Sequence, residues 1–186
     1  GTKLSATFQS ATLAAQALPD REIHVIDTGS TSMSTGIPAL MAAEMAGAGT
    51  PAAQIAATIR ERLPDVDLFV AVDTLDYLRK GGRLSPARAA IGTVLSVKPI
   101  ITVTDGIVVM AEKPRTRAKA RERVVELISE RPVERLAILH TPASPPLRNR
   151  KPRRSSASRC ITLLGNAKDG SSMTVPPTMK VPLTVF

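Results

Sequence analysis

The side chains able to do chemistry in this chain are mostly hydroxyls. Thr2, Ser5 and Thr7 cluster at the start, and Thr28, Ser30, Thr31, Ser32 and Ser34 crowd the segment after a β-branched run. Hydroxyls beside the free amides of a helix N-terminus can hold a carboxylate without a lysine. Their ordinary use is helix capping and turn formation, which spacing alone favours. Histidine is scarce. His24 lies inside the apolar run EIHVID and reads as a core residue, while His140 ends the run LAILH and could face a cleft. A nucleophile, base and orienting group therefore lack a clear base. Asp27 and Asp73 end apolar runs, where an acid could bind metal or cap the next helix, and capping is the commoner role. Neither GxGxxG nor GxxxxGKS/T occurs, and Gly81-Gly82 follows a helical stretch rather than a strand, so it reads as a helix stop. One cysteine, Cys160, and two histidines exclude an internal disulfide and a Cys/His zinc site. Enzyme chemistry is poorly supported by these residues, and no cofactor or metal is expected.

The elements that must position these hydroxyls follow from the pattern. Leu4–Leu18, with no Gly or Pro, predicts a helix stopped by Pro19. Glu22–Asp27 predicts a buried parallel strand running into the loop TGSTSMSTG. Ile37–Ala46 predicts a helix ended by Gly47 and Gly49. Thr50 offers an N-cap, with Pro51 as first residue of a helix reaching Arg62. Leu68–Val72 reads as another buried strand leading to Asp73. TLDYLRK is a short helical piece with Leu75 and Leu78 on one side, and Ser85-Pro86 opens a helix to about Leu95. Pro99–Thr104 and Ile107–Glu112, joined by Asp105-Gly106, predict an antiparallel hairpin. Thr116–Ser129 predicts an amphipathic helix with Val124, Val125, Leu127 and Ile128 as its stripe, and Leu136–His140 a strand. The class is α/β, a parallel part followed by an antiparallel-sheet part, with a boundary near Asp73–Gly82. Residues 1–82 and 83–140 are the expected domains.

Composition narrows the functional classes. Of 186 residues, 43% are hydrophobic, enough for a core, and 2% are aromatic, too few for a nucleic-acid stacking platform. No apolar run approaches the length of a membrane span, and the start lacks the pattern of an export signal, so a reducing, cytoplasmic setting is expected. The net charge of +9 is uneven: residues 1–140 carry +2 and residues 141–186 carry +7. Periodicity fails after Thr141, and seven of the fifteen prolines follow it. Residues 141–186 are expected to be a disordered, basic Pro/Ser-rich tail, with RNRKPRRSSASR at its centre.

Five ordered blocks carry a family resemblance. LSATFQSA at Leu4–Ala11 resembles the LSGTYQSA segment of the DegV family, with Ala6 in place of the usual glycine. HVIDTGSTSMSTG at His24–Gly36 resembles its strand and Ser-rich loop, and VDTLDYLRKGGRLS at Val72–Ser85 its most recognisable stretch. VLSVKPIITVTDG at Val94–Gly106 and KPRTRAKA at Lys113–Ala120 are similar to the blocks that follow. The resemblance covers about residues 1–140, the middle half of a family member. The family's opening TDS-type strand and its His-bearing ending have no counterpart in this sequence, so the implied DegV-like fold is incomplete at both ends.

The resemblance implies a two-domain, non-catalytic protein that holds a long-chain fatty acid in an interdomain tunnel and presents its carboxylate to a fatty acid kinase. Ser5, in the position of the Ser of LSGT, is implied as the carboxylate contact, followed by Thr2 and Thr7. Arg83, Arg115 and Arg117 lie in two basic turns where a kinase that handles phosphate could dock, and ordinary solvated charge is an equal alternative. Three other readings stay open: a dihydroxyacetone-kinase-like phosphotransfer domain, nucleic-acid binding through the tail, which the aromatic count disfavours, and a truncated product without function. A frameshifted reading would account for the change of texture after Thr141.

Overall fold

A computed structural model describes residues 1–84, 97–141 and 158–165. Its helices are α1 (Thr7–Gln16), α2 (Met33–Gly47), α3 (Ala52–Arg62), α4 (Asp76–Lys80) and α5 (Arg117–Ser129). Its strands are β1 (Val66–Ala71), β2 (Ile100–Thr104), β3 (Ile107–Glu112), β4 (Val133–Thr141) and β5 (Ser158–Gly165). They form one sheet in the order β3-β2-β1-β5-β4.

The hairpin β2–β3 forms where the Asp-Gly pair stands. Asp105 (φ 51°) and Gly106 (φ 72°) both take the left-handed conformation of a tight two-residue turn, and Thr104 pairs with Ile107 across it. Thr116 caps α5, its hydroxyl accepting the Lys119 N–H at 3.2 Å. The helix lies on one face of the sheet, where Ala120 and Val124 bury Ile100, which is 0% exposed, with Phe69, Ala71, Leu127 and Ile128 around them. Val125 was expected in that stripe but is 58% exposed. It lies about 100° around the helix from Val124, off the face that Ala120, Val124, Leu127 and Ile128 share. On the other side, Leu84, Ile101 and Val108 form a second cluster that takes in Leu4, Val70, Leu75 and Leu78. Leu4 thus draws the start of the chain onto the sheet. Helix α2 packs on α3 and on β1, β4 and β5.

Several expectations are corrected. Among the described residues every pairing is antiparallel, including both edges of β1, so the strand at Leu68–Val72 pairs with no parallel neighbour there. An apolar run shows burial on both faces, and a central antiparallel strand meets that condition as well as a parallel one. Glu22–Asp27 joins no ladder among the described residues. His24, expected in the core, is exposed and sits 2.9 Å from Glu22 Oε1. β1 precedes residue 82 and β2 follows it, and the two are hydrogen-bonded neighbours in the sheet. Within the segment expected to be a disordered tail, Ser158–Gly165 forms β5 and pairs on both sides, with β1 and with β4. Its short apolar run offers little local periodicity, and its ladders are made with residues far away in sequence. Thr141, the first residue of the expected tail, ends β4; residues 142–157 and 166–186, and the helix expected from Ser85 to Leu95, lie outside the described residues.

Candidate functional site

The turn that carries the first hydroxyls is held from three directions. Leu4 N and Ser5 N donate to the Gly1 carbonyl at 2.9 and 3.2 Å, and the Leu4 side chain sits in the second core cluster. Arg83 Nε donates to the Leu4 carbonyl at 3.2 Å, a tie spanning 79 positions. The hairpin tip closes the third side: a Cβ on Gly106 would stand 3.3 Å from Lys3 Cβ.

Ser5 and Thr2 line a groove of about 310 Å³ that runs along α1 past Phe8, Thr12, Leu13 and Gln16. These helix positions recur at three- and four-residue spacing and so share one face. Leu13 is 60% exposed, and α1 buries none of its residues. Both hydroxyls precede the helix, which begins without a side-chain cap, so the polar end of the groove coincides with the positive end of the α1 dipole. The site can hold an anionic head beside Ser5 and an apolar body along α1. The Thr12 hydroxyl is turned back to the Phe8 carbonyl at 2.9 Å.

The hydroxyls differ in what they can still donate. Thr2 Oγ1 donates to Asp27 Oδ2 at 2.8 Å, while Gly29 N–H donates to Asp27 Oδ1 at 2.9 Å. Partial burial pushes the Asp27 carboxyl up, but the hydrogen bonds from Gly29 and Thr2 and the nearby terminal amine outweigh it and hold the carboxyl below its usual range. Ser5 and Thr7 are paired: their hydroxyl oxygens are 2.9 Å apart, and Thr7 N–H donates to Ser5 Oγ at 3.3 Å. Thr7 does not line the groove. In the later Ser/Thr-rich loop, Thr28 and Thr35 bond to each other at 2.9 Å, and buried Ser34 donates to the Asp67 carbonyl at 3.5 Å. That loop knits the start of α2 to β1, the ordinary role of such residues.

The three arginines fare differently. Arg83 is committed to backbone, to Leu4 and to the Gly81 carbonyl at 2.5 Å. Arg117 grips Asp73 with two bonds of 2.7 Å, and Lys98 Nζ lies 3.4 Å from the same carboxylate. The Arg117 hydrogen bonds lower the Asp73 carboxyl against the opposing effect of burial, with Lys98 adding to the lowering. Arg115 is exposed. Asp27 and Asp73, read from sequence as caps or metal ligands, thus serve as acceptors for Thr2 and Arg117. The Asp-x-Gly spacing of Asp27 and Gly29 was a usable signal for the first, since such a pair folds into an Asx-turn. Nothing local marks the second. Among the described residues, no group of three or more His, Cys, Asp or Glu is placed to hold a metal ion, and no helix is long and apolar enough to cross a membrane.

Comparison with known proteins places this chain in a family. The family model described as "Uncharacterised protein, DegV family" matches residues 1–150. A DegV domain-containing protein of Streptomyces coelicolor is 39% identical over 129 residues, 69% of this chain and 46% of the relative. The chain spans about half the length of the curated relatives it matches. Among solved structures, a fatty-acid-binding DegV family protein from Streptococcus agalactiae is 30% identical with a TM-score of 0.67, covering 75% of this chain and 51% of that one. A DegV family protein from Eubacterium eligens loaded with heptadecanoic acid is 26% identical with a TM-score of 0.66, covering 75% and 53%. The α/β chain with its antiparallel sheet, its ordered sequence blocks and its matched length leave one assignment: the chain belongs to the DegV family.

Proposed function

We propose that this chain is part of a fatty-acid-binding protein, with the carboxylate of a long-chain fatty acid held at Ser5 and the acyl chain lying along the α1 groove. The observation that carries this reading is the groove itself, a hydroxyl and a helix N-terminus at one end and Phe8 and Leu13 along its length. Structural neighbours that bind fatty acids support it. In the whole protein the groove becomes one wall of a tunnel between two domains. Each methylene removed from water contributes about 0.8 kcal/mol, so roughly fourteen give on the order of 10 kcal/mol before ordering costs. The acyl chain thus supplies affinity, and the hydroxyl orients the head.

The protein binds and presents rather than catalyses. A fatty acid kinase receives the carboxylate, docking at the basic turns. Arg115 is the freest of the three candidate arginines, because Arg83 and Arg117 already have partners within the fold. Organic extraction of the purified protein followed by lipid mass spectrometry tests the reading. A stoichiometric long-chain acid is expected; a nucleotide or a metal with no acyl chain would overturn it.

A further inference from the structure

Two hydroxyls, Thr2 and Ser5, line the head of the groove, a third, Thr7, stands behind Ser5, and their hydrogen bonds leave them unequal. The single O–H of Thr2 is spent on Asp27 Oδ2, so Thr2 offers an incoming carboxylate lone pairs and no proton. Ser5 lines the groove, and its hydroxyl is shared with Thr7, which stands outside it. The contact between Ser5 Oγ and Thr7 Oγ1 joins two hydroxyls, each able to donate or accept. With no ligand, Ser5 donates to Thr7. When an anion enters, the bond can reverse: Thr7 O–H donates to Ser5 Oγ, and Ser5 O–H turns to the ligand. The Thr7 N–H at 3.3 Å keeps Ser5 Oγ in place in either state.

We infer that Thr7 is a positioning residue for the carboxylate head, acting through Ser5 as a reversible hydroxyl pair that makes Ser5 the proton donor of the site. The inference rests on the fatty-acid reading above. It assigns Thr7 an indirect role where the family resemblance implied contact with the ligand. The backbone N–H survives substitution by Val or Ser at position 7, so the effect of the Thr7 hydroxyl can be isolated.

The test is a double-mutant cycle on the full chain, delipidated and titrated with a fluorescent long-chain fatty acid, with thermal melting of every variant as a control. Ser5→Ala should weaken binding roughly tenfold or more, as for a lost hydrogen bond to a charge. Thr7→Val, of matched shape, should weaken it several-fold, Thr7→Ser should restore it, and Thr7→Val should have no further effect in the Ser5→Ala background. Melting temperatures close to wild type across the set are expected. Equal effects of Thr7→Val with and without Ser5 would overturn the inference, as would wild-type affinity in Thr7→Val. Wild-type protein that takes up no acid would sink the fatty-acid reading, and this inference with it.

Discussion

Replacing Asp73 by Asn tests the ionic node at the end of β1. Asp73 takes two 2.7 Å bonds from Arg117 and has Lys98 Nζ at 3.4 Å, so Asn would leave two cations without their anion. The side chains of Asp73 and Arg117 are 33% and 49% exposed, and solvent screening keeps the pair far below its value in a dry interior. Bidentate geometry lifts it to the top of the surface range, so the substitution should cost about 1 kcal/mol at low salt. The carboxyl is lowered in the folded protein. Its contribution is therefore fully present above the unfolded value near 3.9 and is lost as pH falls through the lower folded value. Urea unfolding of the two proteins at pH 7 should give a gap that shrinks with added salt and closes as pH falls below about 4. A gap of equal size at pH 7 and in acid would refute the electrostatic account, and so would an Asn variant as stable as wild type at low salt.

Val124→Ala should destabilise the chain by about 1–3 kcal/mol, because Val124 is buried against Ile100, whereas Val125→Ala should stay within about 0.5 kcal/mol in denaturant titrations. Backbone amides of Ser158–Gly165 should exchange as slowly as those of β1, since β5 pairs on both sides; immediate exchange in deuterium would remove β5 from the sheet. Under the proposed kinase docking, Arg115→Glu should weaken coupling to the kinase while leaving extracted acid unchanged, and equal loss of both would point to misfolding.

Much of this molecule was legible locally. The hairpin needed only Asp105-Gly106 between two β-branched runs, because two positive φ angles are cheap there and costly elsewhere. Helix α5 followed from its apolar period, although Thr116, read as its first residue, is its N-cap. These signals depend on neighbours within a few positions, so the chain carries them before it folds. Tertiary structure decided the rest. The direction of β1 depends on its partners, because the same apolar run satisfies either kind of sheet. β5 takes its place between β1 and β4 through ladders with strands far off in sequence, which its own composition does not announce. Arg83 reached Leu4 across 79 positions, and Thr2 found Asp27 across 25, so one expected docking cation braces the site and one expected ligand hydroxyl is already committed. A side chain's type sets what it can donate or accept, but only the packed fold decides which partner takes that capacity first.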